Sequence, residues 1–348
     1  MDVDELRSIT SVAPLPFPVH FVSETGSRWA DVLDALEPGQ GLDHVPDRVV
    51  THEDITIIQT YVNLRRAGLD VTLTDHVVPH AVNVASSIDL GVRHYSADAF
   101  VVSFRADWSR PYLADITLTM NGTIATRRSE HAMPHWLQTG LVPRDPARGD
   151  RLEHLVFKGD MVNLDPRFAA ADFAKALAGF GVSFRAQPFD RETKRSGWHD
   201  FTDVDAVLAA RAIAPIELQT KPASKLINAW AAGVPAVLGV EPAFRELRRS
   251  SLDYIEVVEP AQAIEAIRRL ATDAAFYREV VEHGTARAAE YTNQRIVERW
   301  CSLLAGPVQH DFERWEAQAR VRRRAAHVVR GVAHKAAEKV FERRQSTR

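Results

Sequence analysis

The stretch Gln219–Glu246, QTKPASKLINAWAAGVPAVLGVEPAFRE, constrains the fold more than any other part of the chain. It reads as a loop, an amphipathic helix, a tight turn, a buried strand and a second loop. Gly233 ends the helix, and Pro235 follows as a stop signal. Residues 236–240, AVLGV, read as a strand buried on both faces, as in a parallel sheet covered by helices. Lys221 and Lys225 flank the helix start, with Pro222 and Ser224 between them. Lysine is electrostatically misplaced at a helix N-terminus, where unpaired N–H groups already carry partial positive charge. Two lysines there predict a bound anion, and the phosphates of an activated sugar are the working expectation. The competing reading is a solvated helix start.

The first half alternates strands and helices. Residues 19–23 are predicted as a strand, followed by a turn around Gly26 and a helix over 28–36. Residues 51–54, THED, resemble a capping box for a helix over about 52–67. Strands are expected at 71–74, 81–85, 99–104 and 116–119. This pattern predicts an open, mostly parallel sheet, whose ligands bind beyond the carboxyl ends of the strands. Asp75, His76 and His80 are assigned to one such end; Arg105, Asp107 and Trp108 are assigned to another. The Pro- and Gly-containing stretch 131–151 is the expected interdomain linker, and His135-Trp136 and Arg144-Asp145 within it could line a cleft.

A second α/β layer follows. Residues 155–160, LVFKGD, read as a first strand ending at Gly159. Asp165 and Pro166 are set to open a helix running to about residue 180. Strands are expected at 182–185, 205–211 and 254–258, and helices at 261–271 and 274–291. Asp203 and Asp205 precede a strand instead of following one, so they are not read as a metal site. No metal-ligand constellation stands out elsewhere.

The 348-residue length predicts two domains. A single cysteine, Cys301, excludes an intramolecular disulfide and a cysteine-based zinc site. The formal net charge of −3 argues against a globally basic nucleic-acid binder. The acidic start MDVDELRSIT is unlike a secretory signal, and no apolar run is long enough to span a membrane. A cytoplasmic protein is the expectation.

The block Lys-Pro-x-x-Lys-Leu-x-x-Ala-x-x-x-Gly-x-Pro at 221–235 resembles the GT-B glycosyltransferases, in particular the GT4-like donor domain. The downstream run, with Glu246, Asp253-Tyr254-Ile255 and Tyr291-Thr292, is also similar. The resemblance covers about residues 150–304 and is vaguer before them. It implies an α/β fold of two Rossmann-like domains facing a cleft: an acceptor-side domain at 1–150, a nucleotide-sugar donor domain at 151–305, and a C-terminal segment at 306–348. It implies transfer of a sugar from a nucleotide-diphosphate donor to a glycan, lipid-linked or small-molecule acceptor, with no cofactor and no metal. Retaining members carry a pair of glutamates around this helix. Thr220 and Asn228 stand in their places here, so the full retaining motif is absent.

Glycosyl transfer needs the leaving pyrophosphate stabilised and the acceptor hydroxyl positioned. Lys221, Ser224 and Lys225 suit the first task, with Lys158, Gly159 and Arg211 approaching from neighbouring strand ends and Asn228 at the divergent motif position. Glu241 and Glu246 are candidates for sugar or ribose hydroxyls. His80 and Asp75 are the candidates for positioning the acceptor hydroxyl, and for a general base if the enzyme inverts. Two other readings stay open: another double-Rossmann enzyme such as a sugar-nucleotide epimerase, and a non-catalytic sugar-nucleotide-binding or scaffold protein.

From Asp311 onward the chain turns basic, and Val321, Ala325, Val328, Val332, Ala336 and Val340 form a stripe at helical spacing. This basic amphipathic helix is expected to cross back onto the N-terminal domain, at least in its first part. The other readings are peripheral contact with an anionic membrane and use in assembly.

Overall fold

The computed structural model describes residues 2–88, 94–193 and 195–345. Eleven strands are found among them: β1 (Val19–Val22), β2 (Val71–Thr74), β3 (Val82–Ser86), β4 (Phe100–Phe104), β5 (Ile116–Thr119), β6 (Glu130–Ala132), β7 (His154–Lys158), β8 (Ser183–Gln187), β9 (Ala206–Ala209), β10 (Ala236–Leu238) and β11 (Ile255–Glu256). They form two sheets, ordered β2-β1-β3-β4-β5-β6 and β11-β10-β9-β7-β8. Every pairing is parallel. β3 and β4 are buried along their whole length, as strands covered on both faces must be. The sequence VNVAS of β3 tolerates a buried Asn83 because its amide is fully used. Its Nδ2 donates to the carbonyls of Val78 and Ala81, each at 2.9 Å, and its Oδ1 accepts from Val78 N at 2.7 Å.

The predicted caps are present. Thr51 Oγ1 accepts from Asp54 N at 3.1 Å, and Asp54 Oδ2 accepts from Thr51 N at 2.8 Å, closing the box that starts the helical stretch to Arg66. The Asp165 carboxylate accepts from Arg167 N, with Pro166 in the first turn. That helix is shorter than expected. Ala170 is extended, with ψ 143°, and splits it into Pro166–Ala169 and Ala171–Ala178.

Three features go against or beyond the expectations. The stretch 131–151 is not a free linker. Its start belongs to β6, Trp136 is buried in the first domain's core, and Leu137 and Leu141 are buried in the second's. Polar anchoring does the rest: Asp205 Oδ1 accepts from Arg144 Nε at 2.9 Å and from Arg148 Nε at 2.7 Å. Second, the apolar stripe of the last helix, Arg320–Gln345, faces away from the protein. Third, the chain ends exchange domains. Leu6, in the N-terminal helix Val3–Arg7, packs in the core around Trp230 and Tyr291. Ile296, Trp300, Phe312 and Trp315 pack in the core around Phe21 and Phe100. The expected crossing of the C-terminal segment onto the first domain is present, in the helices Gln309–Glu316 and Arg320–Gln345, and it begins earlier than expected, at the helix Asn293–Leu303.

Candidate active site

The second sheet places its ligand-binding edge where strand order reverses, beside β7 and β9. Lys158 ends β7, and Arg211 lies just beyond β9. The helix Ser224–Ala232 starts in front of them. Gly233 ends it in a left-handed conformation, φ 70°, and Val234 N donates to Ala229 O at 3.0 Å. Trp230 fixes the helix from behind: it is buried, and its Nε1 donates to Asp253 O at 2.8 Å. Ala223, at the N-cap, offers no side-chain acceptor. The helix N-terminus is thus uncapped.

That N-terminus borders a cavity of about 170 Å³ between the domains, lined by Lys158, Arg211, Ser224, Lys225 and Asn228 on one side and by Gln59, His135, Trp136 and Gln138 on the other. A second cavity of about 260 Å³ shares His135 and Ser224 with it and reaches Glu246. The structure thus gathers most of the expected donor residues, but it uses them unequally.

Lys225 is half-buried, and its ammonium meets the carbonyl oxygen of Lys158. Gly159, with φ 147°, makes room, since a Cβ there would lie 3.1 Å from Lys225 Nζ. Burial, reinforced by Arg211, brings the Lys225 pKa down to about 7. Lys158 is committed elsewhere. Its Nζ donates to Gln187 Oε1 at 2.8 Å, Gly197 O at 3.1 Å and Asp200 O at 2.6 Å, tying down the loop after β8. Burial brings its pKa down to about 8. Arg211 is paired with the buried Glu241 carboxylate. Burial raises the Glu241 pKa against the pull of Arg211.

The remaining expected residues bridge the domains. Lys221 Nζ donates to Asp107 Oδ2 at 2.6 Å. Asn228 Oδ1 accepts from Gln138 N at 3.1 Å, so the residue in a glutamate's usual place anchors backbone. Thr220, at the other such position, is buried and donates to Glu217 O at 2.7 Å. Glu246 accepts the Gly122 N–H with both oxygens, at 2.9 and 2.8 Å. A side chain at Gly122 would collide with it.

His80 and Asp75 do not come to the cavity, which corrects the acceptor-side expectation. The connection between β2 and β3 carries the chain back across the sheet. His80 therefore precedes β3, at the end opposite the cleft, with its ring 6.2 Å from that of Trp315. Asp75 is exposed at the edge strand and pairs with His76 at 2.5 Å. On the acceptor side, Asp107 meets Lys221 across the interdomain boundary and His52 Nε2 lies 3.2 Å from Asp107 Oδ2, although neither residue lines the two cavities. Burial pushes the Asp107 pKa up, but His52 and Lys221 outweigh it and hold the carboxyl well below its usual range. Asp107 was legible as a strand-end aspartate; His52 was hidden inside the capping box. His135 is half-buried at the cavity, and the loss of hydration there brings its pKa down to about 4. No group of three or more His, Cys, Asp or Glu side chains suited to a metal ion occurs among the described residues.

No protein-family model and no curated protein matches the chain. Solved structures do. Sucrose-phosphate synthase from Thermosynechococcus elongatus aligns with a TM-score of 0.55 over 84% of this chain and 100% of that one, at 10% identity. AviGT4, a glycosyltransferase involved in avilamycin A biosynthesis, aligns with a TM-score of 0.50 over 87% and 99%, at 16% identity. At these identities the likeness speaks to architecture alone. Two parallel sheets, terminal segments exchanged between domains, and a cavity at the strand ends complete the picture: the chain has the GT-B glycosyltransferase fold.

Proposed function

We propose that the protein is a glycosyltransferase that takes a sugar from a nucleotide-diphosphate donor. The observation that carries this reading is the conjunction at Lys225: a half-buried lysine beside an uncapped helix N-terminus, at an interdomain cavity, with Gly159 leaving space beside its ammonium. An ammonium that meets one carbonyl and an aromatic ring 5.4 Å away, with no carboxylate in contact, is under-compensated, and a diphosphate would supply the missing charge. The Ser224 hydroxyl and the helix N–H groups would share the load as negative charge develops on the leaving diphosphate. Lysine, serine and backbone would supply this stabilisation.

The cavity of about 170 Å³ is smaller than the roughly 300–1,000 Å³ typical of small-molecule sites. Donor binding therefore requires the domains to part. The contacts that must give include Lys221–Asp107, Glu246–Gly122, Asn228–Gln138 and the Asn121 amide on the carbonyls of Gln219 and Lys221. Once Lys221 leaves Asp107, it becomes a second phosphate ligand. On the acceptor side, His52 and Asp107 replace His80 and Asp75 as the pair proposed to orient a carbohydrate or lipid-linked hydroxyl.

A non-catalytic nucleotide-sugar-binding role is the second reading. It is favoured by Asn228 and Thr220, which serve backbone contacts where a retaining enzyme would carry glutamates. A panel of UDP-, GDP-, ADP- and dTDP-sugars separates the two. The transferase reading expects at least one donor to raise Tm and to release free nucleotide in an acceptor-dependent manner. Binding without release across a broad acceptor panel favours the second reading, and no stabilisation by any nucleotide sinks both.

A further inference from the structure

The helix Arg320–Gln345 turns its polar side inward. Among its residues, Arg323, His334 and Phe341 are buried. Arg323 lies over Trp315 at 4.1 Å, the His334 ring is 5.7 Å from Tyr95, and Phe341 is 5.4 Å from Trp108. Ion pairs hold the helix to the first domain: Asp98 takes Arg320 Nη2 at 2.7 Å and Arg324 Nη2 at 3.8 Å, and Asp115 takes Arg330 Nη1 at 2.8 Å. The valines point the other way. Val321 is 74% exposed, Val328 67%, Val329 70% and Val332 70%. Arg322, Lys335 and Lys339 are exposed around them.

A helix that merely packs on its own domain buries its apolar stripe and exposes its charges. This one buries arginine, histidine and phenylalanine and leaves a row of valines in water, framed by cations. We propose that the outward face of this helix is a docking surface for an anionic lipid bilayer. The apolar row would enter the headgroup–acyl boundary while the flanking cations meet lipid phosphates. A second copy of the chain fits the face poorly, because antiparallel or parallel apposition would bring Arg322, Lys335 and Lys339 against like charges. The valines are small, so insertion is shallow, and binding depends on apolar and electrostatic contributions together. No helix among the described residues is long and apolar enough to cross a membrane, so the contact is peripheral.

Position gives the surface a use. Phe341 packs on Trp108, the neighbour of Asp107, so the docked helix ends beside the cleft. A membrane-resident acceptor would then be presented to the acceptor side. That consequence rests on the transferase reading; the docking surface does not.

The test is vesicle co-flotation of the full chain, which reads binding and not activity. Phosphatidylcholine vesicles containing phosphatidylglycerol should carry the protein at low salt and release it at high salt, and phosphatidylcholine alone should carry little. Val328→Ser/Val329→Ser, which leaves the charge unchanged, should weaken vesicle binding at least tenfold with unchanged circular dichroism and Tm, because both side chains point to solvent. Arg322→Gln/Lys335→Gln/Lys339→Gln should weaken it comparably. Failure to bind anionic vesicles overturns the proposal. Loss in the charge variant but not in the valine variant reduces the contact to charge alone and overturns it as well. So does a wild-type dimer, seen by light scattering, that the valine variant dissolves.

Discussion

Lys221 reaches across the cleft and donates to Asp107 at 2.6 Å, so one of the two lysines beside the donor helix is already neutralised by the opposite domain. Its companion Lys225 meets a backbone carbonyl and no carboxylate. The two lysines thus differ in what binding asks of them. Lys221 must exchange one anion for another, whereas Lys225 gains one.

Asp107→Asn removes the anion that Lys221 must leave. Tm should fall by a few degrees, since an ion pair that is largely shielded from water loses one member. Nucleoside-diphosphate affinity should rise about three- to tenfold, a gain of roughly 1 kcal/mol, by calorimetry. A fall in affinity would show that Asp107 contributes to the bound state instead of competing with it.

Lys225 burdens the ligand-free protein. Its folded pKa is about 7, while an unfolded lysine titrates near 10.4. Between these values the folded state binds fewer protons than the unfolded state, so the contribution of Lys225 to stability improves as pH rises through that window. Lys225→Met should therefore raise Tm at pH 6 and do so less at pH 9. A Tm gain that is the same at both pH values would contradict the depressed pKa.

The same group sets the pH dependence of binding. A diphosphate beside Lys225 favours the ammonium and raises its pKa, so binding above pH 7 must take up a proton. Affinity should be greatest below pH 7 and weaken toward pH 9 by up to tenfold per unit. Calorimetry at pH 8 in buffers of different ionisation enthalpy should show close to one proton taken up per site. Lys225→Met should abolish that uptake.

Asp205 is the buried charge that holds the interdomain segment. It accepts from Arg144, from Arg148 and from the backbone N–H groups of Glu153 and His154, the last two both at 2.9 Å. Burial raises its pKa, but the Arg148 and backbone hydrogen bonds outweigh that and leave it at about 2. Its stabilising contribution is present above the unfolded value near 3.9 and is lost as pH falls toward 2. Asp205→Ala should cost about 3–5 kcal/mol in denaturant unfolding, because two arginines are left without their partner. A loss below 1 kcal/mol would contradict the hub role.

Local patterns made much of this legible. The helix Ser224–Ala232, its Gly233 stop, the capping box at Thr51 and the Asp165 cap all follow from short-range rules, and all are present. The clustering of Lys158, Arg211, Ser224 and Lys225 at one cavity follows from strand-end topology. What escaped depends on long-range partners. Sequence gives no sign that Lys158 would be consumed by the loop at Gln187, Gly197 and Asp200, or that Glu246 would clamp Gly122. His80 was misplaced because the connection from β2 to β3 carries no helix to mark its return across the sheet. β6 was missed because its three residues, Glu130–Ala132, are too short for a periodic signal. Which way the valines of the last helix face was left open, since periodicity identifies the stripe without saying what covers it.

The donor-phosphate role of Lys225 is tested most directly by calorimetric titration of a nucleoside diphosphate and of its parent nucleoside, on the wild type and on Lys225→Met. The base should be the one that gives stabilisation in the nucleotide-sugar panel. The account predicts that the diphosphate loses about 10- to 100-fold in affinity, roughly 1.5–3 kcal/mol for a charge-assisted hydrogen bond, while the nucleoside changes little. Equal losses for the two ligands, or an undiminished diphosphate affinity, would contradict it.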